Sequence, residues 1–267
     1  MVKKITMIEA QKKHAGRYNI YLDGQFEFGV SESVLINFRL AKGMEVDKQL
    51  QADITKSDSV AKAYSKALDY ISHQLRAESE VVDKLKSLEV DEQTMAQVMA
   101  RLHEQNLIND QNYAESFVRT MAITSDKGPT VIRQKLKAKK IDDNLIENAL
   151  AEFDNNTMLE NASKAAEKAA KHYHRVPEKM RMQKIRVSLM TKGFSTDLIN
   201  QVLNDLVLET DAEDEWYNLT VQAEKIWQRN RKYDNRTRIM KTKQSLFGKG
   251  YQMDDVNKWI NDITYTE

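Results

Sequence analysis

The chain has 267 residues, with 41 lysines and arginines against 40 aspartates and glutamates, so its formal net charge is +1. It contains no cysteine, which excludes disulfides, thiolate nucleophiles and cysteine-ligated zinc. Only two prolines and eight glycines interrupt it, a scarcity that favours long helices. No run of about 18 apolar residues is present, and the first residues lack the apolar core of a signal peptide. We therefore expect a cytoplasmic protein with no membrane partner.

The first predicted element is a β-hairpin. Residues 18–30, YNIYLDGQFEFGV, alternate apolar and polar side chains around an Asp-Gly pair, the strongest short-range hairpin signal. Residues 5–8 predict a third strand, and residues 31–43 predict a helix closed by its final glycine. We assign residues 1–57 to an N-terminal module of β-hairpin and helix.

Beyond residue 58 one helical pattern recurs four times. Leu85, Leu136, Leu189 and Leu246 hold the same position in it, at steps of 51, 53 and 57 residues. In each unit an amphipathic helix precedes this leucine, and a turn and another helix follow it. The pattern predicts a mainly α fold of tandem three-helix repeats that form a curved array. Its four predicted units are residues 58–106, 107–155, 156–210 and 211–267.

The turn between the second and third helices of each unit has its own signature. Asp91, Asp142 and Ser195 are predicted N-caps, since their side-chain oxygens can accept from unpaired backbone N–H groups. An apolar residue before the cap and another five positions later have the spacing of a hydrophobic staple. The residues predicted to take the left-handed conformation of this turn are Glu89, Lys140, Gly193 and Gly250.

Residues 106–119, NLINDQNYAESFVR, predict the junction between the first two units. Leu107 and Ile108 are expected to fill the joint, and either Asn109 or Asp110 is expected to cap the next helix. Pro129 and Pro177 are expected at the first position of the middle helices of units two and three, where proline is tolerated.

No group of residues predicts catalysis. The histidines of HYH, residues 172–174, are two positions apart and would point in different directions on a helix, so they predict no metal site. Neither a phosphate-binding loop nor a nucleophile with a base and an orienting group is present in the sequence. We expect no catalytic residue, cofactor, metal or small-molecule substrate.

Positive charge concentrates in the predicted middle helices. Residues 133–140 carry five bases, residues 171–192 carry seven against one acid, and residues 225–243 carry eight against one acid. Residues 205–215, in contrast, carry six acids and no base. Because stacked repeats align equivalent helices, the segments predict a shared basic face for phosphate groups or an acidic protein surface. The predicted partner-binding residues are Arg133, Lys135, Lys137, Lys184, Arg186, Arg238 and Lys241.

Two interpretations without partner binding are alternatives to this one. A charge run is most often an ordinary solvated helix face, which is an alternative for any single segment. Trp227 and Tyr233 interleave with the bases of the last segment, and their spacing favours core positions over stacking platforms for bases.

Three motifs, in this order, resemble the RecX family of regulators of the RecA recombinase. They are ALDYISHQLRAESEVVDKLKSLEV (67–90), LHEQNLINDQNYAESFVR (102–119) and DKGPTVIRQKLKAKKI (126–141). The resemblance implies an all-helical array of three-helix repeats in the groove of the RecA filament on single-stranded DNA, modulating ATP hydrolysis and strand exchange. It implies no catalytic residues. Asn106, Glu89 and Lys140 stand where the family usually has glycine.

The favoured hypothesis is therefore a non-enzymatic, monomeric modulator of RecA filaments, with single-stranded DNA contacted weakly or indirectly. The alternative is a helical repeat protein that binds DNA or RNA directly. A tetratricopeptide scaffold fits less well, because its repeat has about 34 residues and two helices.

Overall fold

The computed structural model describes residues 2–12, 14–208 and 212–266. Its contacts divide the chain into two compact units. The N-terminal unit contains the residues up to Ala114 together with Ala138–Leu145. The C-terminal unit contains Glu115–Lys137 and the residues from Ile146 onward.

A four-stranded antiparallel sheet begins the N-terminal unit, in the order β3-β2-β1-β4. Asp23 and Gly24 join β2 to β3 with φ angles of 48° and 85°. Two successive positive φ values define a type I′ turn, which matches the twist of the paired strands. The predicted hairpin and third strand are thus confirmed, whereas β4 was not predicted. The strands are β1 (Lys3–Ala10), β2 (Arg17–Leu22), β3 (Gln25–Ser31) and β4 (Glu45–Val46).

The helix predicted over residues 31–43 is wrong in its extent. The observed helix, α1, spans Glu32–Asn37 and ends just before Arg39, which takes the left-handed conformation at φ 51°. Gly43 is also left-handed, at φ 88°, but it lies in the turn that leads into β4. There its N–H donates to the carbonyl of Ile5 at 2.7 Å. A non-glycine residue therefore closes this helix, which the sequence pattern did not indicate.

The next helix, α2, is shared between the N-terminal module and the first repeat. It runs unbroken from Lys48 to Ser72, so the predicted boundary after residue 57 falls inside it. Ile54, in its first half, packs in the core of the sheet, and Tyr64, in its second half, packs in the core of the first repeat. The other predicted domain boundaries stay predictions.

A buried ion pair fixes α2 to the sheet. The carboxylate of Asp58 accepts from both terminal nitrogens of Arg17, at 3.0 and 3.3 Å, and from the backbone N–H of Ser31 at 2.8 Å. Lys62 lies 2.9 Å from the same carboxylate. Burial alone would raise the pKa of Asp58, but the bonds from Arg17, Lys62 and Ser31 outweigh it and hold that pKa below its ordinary value.

Twelve helices of the described chain, α2 to α13, form four consecutive groups of three, as predicted. The four signature leucines are fully buried, each near the end of the middle helix of its group. The curvature of the array stays a prediction. After α2, the helices are α3 (Glu78–Ser87), α4 (Glu92–Glu104), α5 (Asp110–Thr124), α6 (Pro129–Ala138), α7 (Asp143–Ala151), α8 (Asn155–His172), α9 (Glu178–Thr191), α10 (Thr196–Asp205), α11 (Ala212–Arg229), α12 (Asn235–Gly248) and α13 (Met253–Thr266).

The turn signature before the third helices is confirmed. Asp91 accepts from the N–H of Thr94 at 2.9 Å, and Ser195 accepts from the N–H of Leu198 at 3.3 Å. Asp142 accepts from the N–H of Asn144, at 2.8 Å. The four predicted turn residues all have positive φ: Glu89 (56°), Lys140 (60°), Gly193 (89°) and Gly250 (93°).

The junction of the first two repeats differs in part from the expectation. Ile108 is buried in the first repeat, as predicted, but Leu107 is exposed. Asn109 caps α5 by accepting from the N–H of Asn112 at 3.0 Å. Asp110 instead accepts from the N–H of Glu78, at 2.8 Å, and so caps α3.

Of the two prolines, only one lies at the predicted helix position. Pro129 is the first residue of α6, as predicted. Pro177 is the N-cap of α9, one position earlier than predicted, with a ψ of 143° that lies outside the helical range. Both places suit a residue without an N–H group.

Candidate partner-binding surface

The middle helices of the C-terminal unit follow one another end to start. Gly193, just beyond α9, lies against the first turn of α6: the N–H of Gly128 donates to the carbonyl of Lys192 at 2.7 Å, and that of Thr130 donates to Gly193 at 3.2 Å. A Cβ at Gly193 would lie 2.6 Å from the backbone nitrogen of Val131. Only glycine allows both this approach and the positive φ.

The same contact recurs one repeat later. Gly250, just beyond α12, lies so close to Met180 of α9 that a Cβ on the glycine would collide with the methionine side chain. The end of α12 thus meets the first turn of α9, as the end of α9 meets the first turn of α6. The helices α6, α9 and α12, here called the basic row, carry much of the three charged segments. That these segments form one face stays a prediction.

Two of the predicted binding arginines have partners within their own repeats. Arg133 forms a two-pronged pair with Glu147, at 2.7 and 2.8 Å, which neutralises its charge. Arg186 donates to the side-chain oxygen of Asn200 at 2.6 Å. Lys135, on α6, is exposed. Lys137, on the same helix, is also exposed.

The other three predicted residues lie beside aromatic rings. The guanidinium of Arg238 lies 3.7 Å from the ring centroid of Trp227, and its Nε donates to the carbonyl of that tryptophan at 3.3 Å. Lys184 lies 5.3 Å from the ring centroid of Tyr173, and Lys241 lies 4.8 Å from that of Tyr233. These distances permit cation–π attraction, so Arg238 in particular has a packing role.

Many cations along α9 and α12 have no acidic partner among the described residues. In the first repeat and the turn after α6, Arg76 and Lys139 pair with Glu80, and Lys140 pairs with Asp83, but Lys66, Lys84, Lys86 and Arg101 of the first repeat have no carboxylate of the described residues within 4.0 Å. Along and beside α9 and α12, the residues that the structure describes include many lysines and arginines with no carboxylate within 4.0 Å. These are Lys171, Arg175, Lys179, Lys184, Arg186, Lys225, Arg229, Arg231, Lys232, Arg236, Lys241 and Lys243.

The two aromatic residues of the last basic segment have different environments. Trp227 is buried and meets Trp259 edge to face, with the ring centroids 6.3 Å apart, so its predicted core position is confirmed. The core position predicted for Tyr233 is wrong: its ring is exposed in the turn before α12, beside Lys232 and Lys241.

The acidic segment 205–215 lies only partly in the described structure, because residues 209–211 fall outside the described residues. Glu215, in the first turn of α11, lies near Glu178, the first residue of α9. Burial raises the pKa of Glu215, and the nearby charges of Glu178 and Asp255 raise it further.

The described residues contain no group of three or more histidine and acidic side chains placed to hold a metal ion. None of the described helices combines the length and the apolar character needed to cross a bilayer. Sequence reasoning missed several exposed apolar side chains on α9 and α12. Their signal was the presence of apolar residues on both sides of these helices.

Family models match nearly the whole chain. The RecX N-terminal domain matches residues 3–47, the first three-helix domain matches 63–102, and the second matches 109–150. The model of the third three-helix domain matches twice, over residues 156–203 and 213–260. The chain belongs to the RecX family. Its fourth repeat is therefore a second version of the third RecX domain.

Relatives named Regulatory protein RecX agree with this assignment. The relative from Levilactobacillus brevis is 49% identical over 259 residues, which are 97% of each chain. The relative from Bacillus subtilis strain 168 is 36% identical over 98% of this chain and 99% of its own. A crystal structure titled regulatory protein RecX is 46% identical, with a TM-score of 0.69 over 76% of this chain and 99% of its own.

Proposed function

We propose that this RecX-family chain is a non-enzymatic cytoplasmic monomer that binds the RecA filament on single-stranded DNA. Through this contact it lowers the ATPase and recombination activity of RecA in DNA repair and the SOS response. The regulatory role named for its relatives supports the proposal. The observation that carries it is the concentration of unpaired cations along consecutive repeats, which suits a repeating, negatively charged partner.

The mechanism requires no reacting group. Each repeat of the basic row makes one modest electrostatic contact, and neighbouring contacts add because the first one holds the others close to their targets. Occupation of several RecA subunits at once would hinder the subunit movements that accompany ATP hydrolysis. The proposed contacts are the seven predicted residues, Arg133, Lys135, Lys137, Lys184, Arg186, Arg238 and Lys241. Arg133 would have to exchange Glu147 for the partner.

The DNA-dependent ATPase of RecA tests this proposal. Wild-type protein should slow the ATPase at less than one copy per RecA subunit, and Lys184→Glu with Lys241→Glu should raise the half-inhibitory concentration by about tenfold or more. A matched control reverses Lys164 and Lys168, two exposed lysines of α8 outside the basic row. Full ATPase activity in an excess of wild-type protein would contradict the proposal.

The exposed ring of Tyr233 among unpaired cations favours one alternative, direct binding of single-stranded DNA or RNA. Such sites combine positive charge with aromatic rings on which bases stack. Tight binding of bare oligo(dT) without RecA, weakened by salt with a log–log slope of about −0.7 per phosphate contact, would support this alternative. Tyr233→Ala should then reduce the affinity, whereas RecA-dependent inhibition would not require this residue.

A further inference from the structure

The outward faces of α9 and α12 are partly apolar. Val187 and Met190 on α9 are 55% and 57% exposed, and Met240 and Phe247 on α12 are 61% and 57% exposed. Each pair belongs to a set of three positions, spaced by four and then three residues, that lie on one face of the helix. The set on α9 is Gln183, Val187 and Met190, and the set on α12 is Met240, Gln244 and Phe247.

The fold does not require apolar side chains at these places. Met190 and Phe247 each follow the buried signature leucine of their repeat, Leu189 or Leu246. The equivalent position holds Lys86 in the first repeat and Lys137 in the second, and both lysines are exposed. Large apolar side chains grouped on a surface most often mark a contact with another macromolecule.

The cations that border this apolar face recur in the same register. Lys184 and Arg186 on α9 correspond to Lys241 and Lys243 on α12, since each pair is separated by the 57-residue step of the leucines. None of the four has a carboxylate of the described chain within salt-bridge distance. Two successive repeats thus present the same arrangement, an apolar centre with a positive border.

On α9 the arrangement includes a groove of about 580 Å³. Val187 and Met180 contribute apolar surface to it, and Lys127, Lys184 and Lys192 contribute positive charge. Lys127 and Lys192 share the carboxylate of Asp126, so Lys184 supplies the uncompensated charge. The groove can receive an apolar side chain whose neighbours are carboxylates.

We propose that the outward faces of α9 and α12 dock an acidic segment of a protein partner, in which carboxylates flank apolar anchor residues. The inference rests on the proposed function, in which that segment belongs to RecA subunits of the filament. Nucleic acid fits this surface less well, because three of the four exposed apolar residues, Val187, Met190 and Met240, are aliphatic and bases stack on aromatic rings. Apolar anchors give affinity, and the charges select an acidic partner.

A polar variant tests the surface without altering its charge. It combines Val187→Asn, Met190→Gln, Met240→Gln and Phe247→Gln. All four side chains are exposed, so the melting temperature should stay close to that of the wild type. The matched control is Ile123→Gln, on α5 of the same unit, where the isoleucine is 83% exposed.

The first measurement uses RecA filaments on oligo(dT), stabilised by a non-hydrolysable ATP analogue. The polar variant should bind them at least about tenfold more weakly than the wild type, with the control unchanged. Its binding to bare oligo(dT) should equal that of the wild type. Unchanged filament binding, or an equal loss on bare oligo(dT), would overturn the inference, the second result by assigning this surface to nucleic acid.

A second measurement does not depend on RecA. A labelled peptide of repeated Glu-Glu-Leu triplets should bind the wild type at least about tenfold more tightly than the same peptide with serine in place of leucine. The polar variant should bind the two peptides equally. If the wild type does not bind RecA filaments but prefers the leucine peptide over the serine peptide, the proposed function fails and the inference stands. Absence of the peptide preference overturns the inference, whatever the filament result.

Discussion

Removal of the charge on Asp58 should weaken the attachment of the sheet to α2. In Asp58→Asn the amide can still accept from the N–H of Ser31, but Arg17 keeps a positive charge with no carboxylate opposite it. Loss of one member of a buried ion pair costs about 3–5 kcal/mol. Because the Arg17 side chain remains 21% exposed, water offsets part of this cost, and we expect about 2–3 kcal/mol.

The assay must report on the sheet itself. The three tryptophans, at positions 216, 227 and 259, all lie in the fourth repeat, so their fluorescence does not follow the N-terminal module. Hydrogen exchange of the amides of β2 and β3 reports directly on this module. Asp58→Asn should speed that exchange by about 30- to 150-fold if these amides exchange through opening of the module. Asp53→Asn is the matched control, since Asp53 is an exposed residue of α2.

The effect should depend on pH in a defined direction. Because the folded-state pKa of Asp58 lies below its ordinary value, its stabilisation is complete above the ordinary pKa of about 3.9 and is lost as the pH falls through the folded-state pKa. The wild type and Asp58→Asn should therefore converge in acid. A difference below about 0.5 kcal/mol at neutral pH, the size usual for surface substitutions, would refute the role given to this ion pair.

Three further substitutions test the repeat turns. Gly250→Ala should destabilise the fourth repeat by at least about 1–2 kcal/mol, because alanine is strained at positive φ and its Cβ would strike Met180, and urea unfolding followed by tryptophan fluorescence measures this. Lys140→Gly should instead stabilise the second repeat by up to about 1 kcal/mol, seen as slower hydrogen exchange in α6 and α7. Asp91→Ala should cost about 1 kcal/mol through loss of the bond from Thr94, with faster exchange in α4, whereas Glu92→Ala should have a smaller effect. The geometry of the turn at Gly250 would be contradicted if Gly250→Ala left the stability unchanged. The left-handed strain at Lys140 would be contradicted if Lys140→Gly destabilised the second repeat. The cap at Asp91 would be contradicted if Asp91→Ala and Glu92→Ala had equal effects.

Local chemistry made most of the helical array predictable. The signature leucines, such as Leu85, and the N-cap residues, such as Ser195, recur at fixed distances, because each repeat must bury one face and satisfy the same helix ends. The absence of glycine and proline between residues 48 and 72 also permitted a continuous α2, although the prediction placed a boundary there. Arg39 shows the limit, since a non-glycine residue can hold a left-handed turn when surrounding contacts require it.

The candidate surface was less predictable, because it depends on pairings across the fold. Arg133 and Glu147 are 14 positions apart and lie on different helices, so nothing local indicated that this cation is neutralised. The exposure of Tyr233 depends in the same way on how the turn before α12 is oriented. Charge counts located the basic segments, and only the structure separated paired from unpaired cations.

The most direct test of RecA regulation by this chain is a titration of the RecA ATPase on single-stranded DNA with the wild type and with Lys184→Glu/Lys241→Glu. We expect inhibition by the wild type below one copy per RecA subunit and a curve displaced by about tenfold or more for the variant. Superimposed curves would show that the basic row makes no contact with the filament. A flat wild-type curve would contradict regulation of RecA altogether.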